Sequence, residues 1–262
     1  MSVWFYFVMF AHERHQQIVA AVARHRRISV AALRRRLGVS DATLRRDLTL
    51  LAQSGQIVRA HGGVLHPEAA AGEPAFARKA RTAPAAKQAI AALAAALVPD
   101  GATVFVDAGT TTLAAGRLLL VRPDLTVFTN SLPLLEAAVP GGAQLVAIGG
   151  EVRALSRALV GGLAMDWLHH VRFDFALLGA SGLDFADGAS TTELSEAAVK
   201  KAALARAGRA VLLADAAKWD HPASIGFAPW ADLDAWVTDY RPTRPELARL
   251  TALGVTLHRA TP

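Results

Sequence analysis

The sequence predicts a two-domain α/β chain, a small helical domain closed by a hairpin and joined to a larger domain with a mostly parallel sheet flanked by helices. Three observations predict it. Excess positive charge is confined to the first quarter of the chain; an Ala-, Gly- and Pro-rich stretch comes next; and from residue 85 onward short apolar runs alternate with helical stretches. The boundaries this implies are 11–66 for the first domain, 67–84 for a linker and 85–262 for the second.

At 262 residues, 53% hydrophobic and 19% charged, the chain has ample material for packed cores, which excludes disorder as a whole-chain description. It has no cysteine, which removes disulfide scaffolds, thiolate zinc sites and thiol nucleophiles together. Neither a metal nor a cofactor is expected: His169-His170 is a tempting pair, but adjacent helical residues point about 100° apart. The apolar opening, residues 1–10, is too short to span a bilayer and lacks a basic start and a small-residue cleavage site, so it reads as a misplaced start or an arm for oligomer contacts. No other segment reads as membrane-spanning, and the expected location is the cytoplasm, on the nucleoid.

Residues 1–66 carry ten Arg against Glu13, Asp41 and Asp47, a net of +7, while the remainder has eighteen basic and nineteen acidic residues, a net of −1. A domain that docks on a polyanion leaves this footprint. Ile18, Val19 and Val22 repeat at helical spacing. Ser29 caps a second helix whose inward residues are Val30, Leu33 and Leu37, and Gly38 ends it. Ser40 caps a third, with Asp41 in its first turn and Leu44, Leu48 and Leu51 as its buried stripe. That stripe leaves Thr43, Arg45, Arg46 and Thr49 off the core, where a recognition helix presents side chains to the major groove. Asp47 reads as a structural partner of an Arg, since a carboxylate facing phosphate would repel it. Ile57-Val-Arg59 alternates like a strand and Gly62-Gly63 supplies a tight turn before Val64-Leu65, predicting a two-stranded wing with Arg59 and His61 near the DNA backbone.

The run Val39-Ser-Asp-Ala-Thr43-Leu-Arg-Arg-Asp-Leu48, together with Gly55, Arg59 and His61-Gly-Gly63 beyond it, resembles the DeoR family of bacterial transcriptional regulators. The resemblance implies a winged helix-turn-helix that binds double-stranded operator DNA as a dimer or tetramer, through Ser40, Thr43, Arg45, Arg46, Arg59 and His61.

In the second domain, strands are predicted at 103–106, 125–129, 144–148, 175–178, 210–214 and 235–238, with helices near 85–97, 112–120, 131–138, 193–207 and 244–253. The first five strands each run into a polar or glycine-rich turn: Asp107-Ala-Gly109-Thr110-Thr111-Thr112, Asn130-Ser131, Gly149-Gly150, Gly179-Ala-Ser-Gly182, and Asp215 with Lys218. Open α/β sheets bind ligands outside their strand C-termini, so these turns are expected to converge on one crevice. Gly109 and the three Thr lead into a helix N-terminus suited to phosphate; Asp107 and Asn130 suit sugar hydroxyls; Lys200 and Lys218 suit an anion.

This half also resembles the DeoR family, through Asp107–Thr112, Thr129-Asn-Ser131, Gly149-Gly150, Val160-Gly161, Asp174, Gly188, Glu196 with Lys200, and Asp215 with Lys218. The resemblance implies a sensor domain similar in fold to ribose-5-phosphate isomerase and CoA transferases, a phosphorylated sugar or related metabolite as effector, and repression of a carbohydrate-catabolism operon that the effector relieves. The alternative is a sugar-phosphate isomerase with an appended DNA-binding domain, for which Asp107, Glu193 and Glu196 are the nominal bases. The Asp-Gly-Ala-Asp-Glu run and Lys-Gly-Gly-Gly loop of such isomerases do not occur here, and no P-loop, dinucleotide fingerprint or nucleophile elbow is present. A regulator, not an enzyme, is the expectation.

Overall fold

Ile18 and Val22 lie one helical turn apart, and that spacing buries both along α1, Ala11–His25. The computed structural model describes residues 11–25, 27–60, 62–65 and 75–261, and the chain divides into two compact units, residues 1–73 and 74–262.

In the first unit Ser29 accepts the Ala32 N–H at 3.1 Å to open α2, Val30–Leu37, and Gly38 closes it at φ 64°, a left-handed conformation that glycine adopts without strain. Ser40 accepts the Thr43 N–H at 3.2 Å and opens α3, Asp41–Gln53. Leu33, Leu37, Leu44, Leu48, Leu51, Ile57 and Val64 join α1 in one core. Strands β2, Val58–Ala60, and β3, Gly63–Leu65, form the wing hairpin in the expected place. A third strand, β1, Arg27–Ser29, pairs with the other side of β3. Sequence reading missed it because three residues show no period.

The second unit is built on seven parallel strands in the order β15-β14-β12-β9-β4-β5-β6. These are β4, Thr103–Val106; β5, Thr126–Thr129; β6, Gln144–Ala147; β9, Phe173–Gly179; β12, Ala207–Leu213; β14, Ala235–Thr238; and β15, Thr256–Arg259. Alternating residues divide between two cores. Val104, Val106, Leu177, Val211 and Val237 pack on one face, while Phe105, Ala176, Leu178, Leu212 and Trp236 pack on the other. Such strands read as continuous apolar runs because both faces are covered. Helices α5, Pro84–Ala96; α6, Thr110–Leu119; α8, Gly162–His170; α9, Leu194–Ala205; and α10, Arg244–Ala252 lie between strands or flank them, with a short α7 at Leu132–Leu135. Beside the main sheet stand the hairpin of β7, Glu151–Arg153, and β8, Ala158–Val160, and a three-stranded sheet of β10, Gly182–Asp184, β11, Gly188–Thr191, and β13, Ile225–Ala228.

The six strands expected from sequence are present, with β9 and β12 longer than their apolar cores. The seventh, β15, was not anticipated: its residues are half-buried or exposed, so the apolar signal is weak. The stretch read as a featureless linker contains α4, Phe76–Arg81, and α5 begins within it at Pro84. From β4 the chain proceeds outward to β5 and β6, then crosses back to place β9 on the other side of β4. The ends of β4 and β9 therefore flank a topological switch point, where α/β sheets open a crevice.

Candidate functional site

On α3 the Leu44, Leu48 and Leu51 stripe faces inward and leaves Arg45 and Arg46 exposed, with Thr43 and Thr49 half-buried beside them. The Ser40 and Thr43 hydroxyls are 2.9 Å apart, so both start as parts of the helix cap. Arg59 in the wing donates to the Thr49 hydroxyl at 3.1 Å, and Thr49 donates to the Arg45 carbonyl at 2.8 Å. The wing thus brings Arg59 beside Thr49 and the Arg45 turn of α3, with Arg46 exposed on the same helix. His61 lies outside the described residues.

Asp47 is the structural partner expected of it. Its carboxylate accepts Arg14 Nε at 2.6 Å and Nη2 at 3.1 Å, and sits 2.9 Å from His15 Nε2, pinning α1 to α3. Burial works to raise this carboxyl, but the Arg14 and His15 hydrogen bonds outweigh it and hold the group below the usual carboxylate range.

At the switch point of the second unit, Asp107 follows β4 and is almost wholly enclosed. It accepts the Gly179 N–H at 3.0 Å and the Lys200 ammonium, and Lys200 also donates to the Gly179 carbonyl at 3.0 Å. Burial pushes the Asp107 carboxyl up, and the Lys200 charge opposes the shift. This pair bolts the ends of β4 and β9 to α9. Thr112 donates to the Asp107 carbonyl at 2.6 Å, closing the turn that leads into α6.

Beside this pair opens a cavity that is partly open to solvent. Of the residues expected at the crevice, Gly109, Thr110, Thr111, Lys200 and Lys218 line it. Asp107 and Thr112 do not: they lie beneath and brace it. Asn130 is a strut, its Oδ1 accepting the Ala108 N–H at 2.9 Å and its Nδ2 donating to the Leu159 carbonyl at 3.2 Å. Asp215 is buried and accepts the Ala217 N–H at 3.2 Å. Gly149 and Gly150 are also absent from the wall. At Gly150, φ 133°, a Cβ would stand 2.3 Å from the Val160 carbonyl oxygen, so glycine there serves the close approach of β8. The expected convergence therefore holds for the turn after β4, for Gly179, Ala180 and Ser181 of the turn after β9, and for the two lysines, while Asp107, Thr112, Asn130 and Asp215 are held in the packing around it.

Phe76, Lys79, Ser156, Thr191 and Glu196 also line the cavity. The first two lie in the stretch read as linker, and only burial reveals them: Lys87, itself buried, donates its ammonium to the Lys79 and Thr82 carbonyls and anchors the end of α4. Burial pushes the Lys87 ammonium down, against the attraction of Asp215. Glu196 accepts Arg153 Nη1 at 3.0 Å and the Thr191 hydroxyl at 3.3 Å. Glu193 caps α9; burial tends to raise it, but hydrogen bonds from Ser195 and the Glu196 N–H hold it below the usual range, as an ionised cap and not a base poised near neutrality.

Residues 14–69 match the DeoR-like helix-turn-helix domain and residues 82–240 the DeoR C-terminal sensor domain. The glycerol-3-phosphate regulon repressor of Escherichia coli K12 is 31% identical over 231 residues, 88% of this chain and 91% of its own. An HTH-type transcriptional regulator of Haloferax volcanii is 32% identical over 249 residues, 95% of this chain and 98% of its own. Among solved structures, ribose 5-phosphate isomerase A of Methanocaldococcus jannaschii aligns over 53% of this chain and 55% of its own at 18% identity and TM-score 0.39, too distant to argue from. A helix-turn-helix unit with a basic face and a sensor unit with a crevice define a DNA-binding transcriptional regulator. The chain belongs to the DeoR family.

Proposed function

We propose that this regulator is a repressor of an operon for carbohydrate catabolism, released from its operator by a phosphorylated sugar or related phosphorylated metabolite. One observation carries the reading: Lys79, Lys200 and Lys218 meet the start of α6 around one cavity at the switch point of the sheet. Lysines beside a helix N-terminus that no side chain caps favour a phosphoryl group, although Lys200 is already paired with Asp107. A relative named for repression of a glycerol-3-phosphate regulon supports the same chemistry.

Arg45, Arg46 and Arg59, with Thr43, contact the operator; dimers or tetramers hold the basic faces at the spacing of its half-sites. The work is done in the cytoplasm, on DNA. No helix of the described residues is long and apolar enough to cross a membrane. Release requires the effector to bind the DNA-free arrangement more tightly than the DNA-bound one.

The test is a mobility shift of the full chain on DNA from its own upstream region, with and without glycerol 3-phosphate and a panel of sugar phosphates. Specific binding abolished by one compound is the expected result. No specific binding, with turnover of a sugar phosphate instead, would overturn the reading in favour of an isomerase.

A further inference from the structure

We propose that Ser156, at the tip of the β7–β8 hairpin, is an effector-contacting residue that donates a hydrogen bond to an anionic oxygen of the bound metabolite; this rests on the reading of the cavity as the effector site. Ser156 is more than nine-tenths buried and lines the cavity, yet its hydroxyl has no hydrogen-bond partner. Buried hydroxyls are ordinarily paired, and one left orphaned in a cavity wall marks a position whose partner arrives from outside. The wall around it carries Lys79, Lys200 and Lys218 against the Glu196 carboxylate, so an acceptor oxygen is the complementary group.

The hairpin is built to hold that contact. At one end Arg153 binds Glu196, a residue of the cavity wall, at 3.0 Å. Next to Ser156, the Leu155 carbonyl accepts the N–H of Phe76 at 2.9 Å, the first residue of α4, which itself lines the cavity. The hydroxyl is enclosed as the tip stands, so the proposed contact requires the tip to turn toward the ligand.

Ser131 is the natural control, because its hydroxyl is also buried and unpaired but does not line the cavity. The experiment titrates the full-length protein, Ser156→Ala and Ser131→Ala calorimetrically with whichever panel compound releases the parent chain from its upstream DNA, and repeats the release assay. Ser156→Ala should bind DNA and melt as the parent does, but lose affinity for the compound about ten-fold, the scale of one hydrogen bond to a charged group. Ser131→Ala should keep it. Equal affinity of Ser156→Ala and the parent overturns the assignment and leaves the effector site standing, whereas a parent chain that binds no compound overturns both. Because the sequence has no cysteine, Ser156→Cys supplies a single thiol. The same compound should slow its alkylation by a maleimide; an unchanged rate at saturating compound would count against the contact even if Ser156→Ala failed to fold.

Discussion

Asp107 and Lys200 show how a residue that resembles a ligand contact can serve the fold. Both are buried, and each is the other's main compensation, so removing one leaves an unpaired charge in a dry site. Lys200→Met should destabilise the protein by about 3–5 kcal/mol in urea denaturation. The double change with Asp107→Asn should recover a large part of that loss, since the stranded charge goes with it. Asp107→Ala, which would spare folding if Asp107 only held sugar hydroxyls, should instead lower the melting temperature. In the first unit Asp47 sets an acid limit. Its folded-state carboxyl lies below the unfolded value of about 4, so its contribution is full above that value and is lost as pH falls through the lower, folded one. Thermal melts from roughly pH 6 down to pH 3 should therefore show falling stability, and the slope should flatten in Asp47→Asn.

At the scale of elements, α3 and the wing act together because Arg59 reaches Thr49. Arg46→Ala should weaken operator binding by about 1–3 kcal/mol if this side chain reads a base edge. Arg59→Ala should weaken it on operator and unrelated DNA alike, as a phosphate contact does. Quantitative mobility shifts on both DNAs separate the two roles, and effector affinity should be unchanged in both variants. The short helix α4 carries a parallel lesson. Six residues are too few to persist alone, and α4 is held instead by the buried Lys87 ammonium and by the Leu155 carbonyl.

For the whole molecule the decisive feature is charge segregation. With the basic excess confined to the first 66 residues, operator affinity should fall steeply as salt rises, with log K declining by about 0.9 per log unit for each phosphate neutralised. Arg46→Ala should leave that slope nearly unchanged if it reads bases, whereas Arg59→Ala should reduce it by about one.

The amino-acid order was enough for everything that depends on local spacing: the helical stripes of α1 to α3, the caps at Ser29 and Ser40, the wing turn, the apolar strands, and the family. Caps and periods are written in neighbouring residues. The ordering of β9 beside β4 is not, nor is the third strand of the wing, because strand partners are chosen by contacts across many residues. The same reason governs the site. Asp107, Asn130 and Gly150 carry residue types that suit a ligand, and only the packing around them shows that they pair with Lys200, with main-chain groups and with β8. Phe76, Lys79 and Ser156 sit in stretches that look like linker and turn, and they became cavity wall only when the tertiary fold brought α4 and the β7–β8 hairpin over the ends of the sheet.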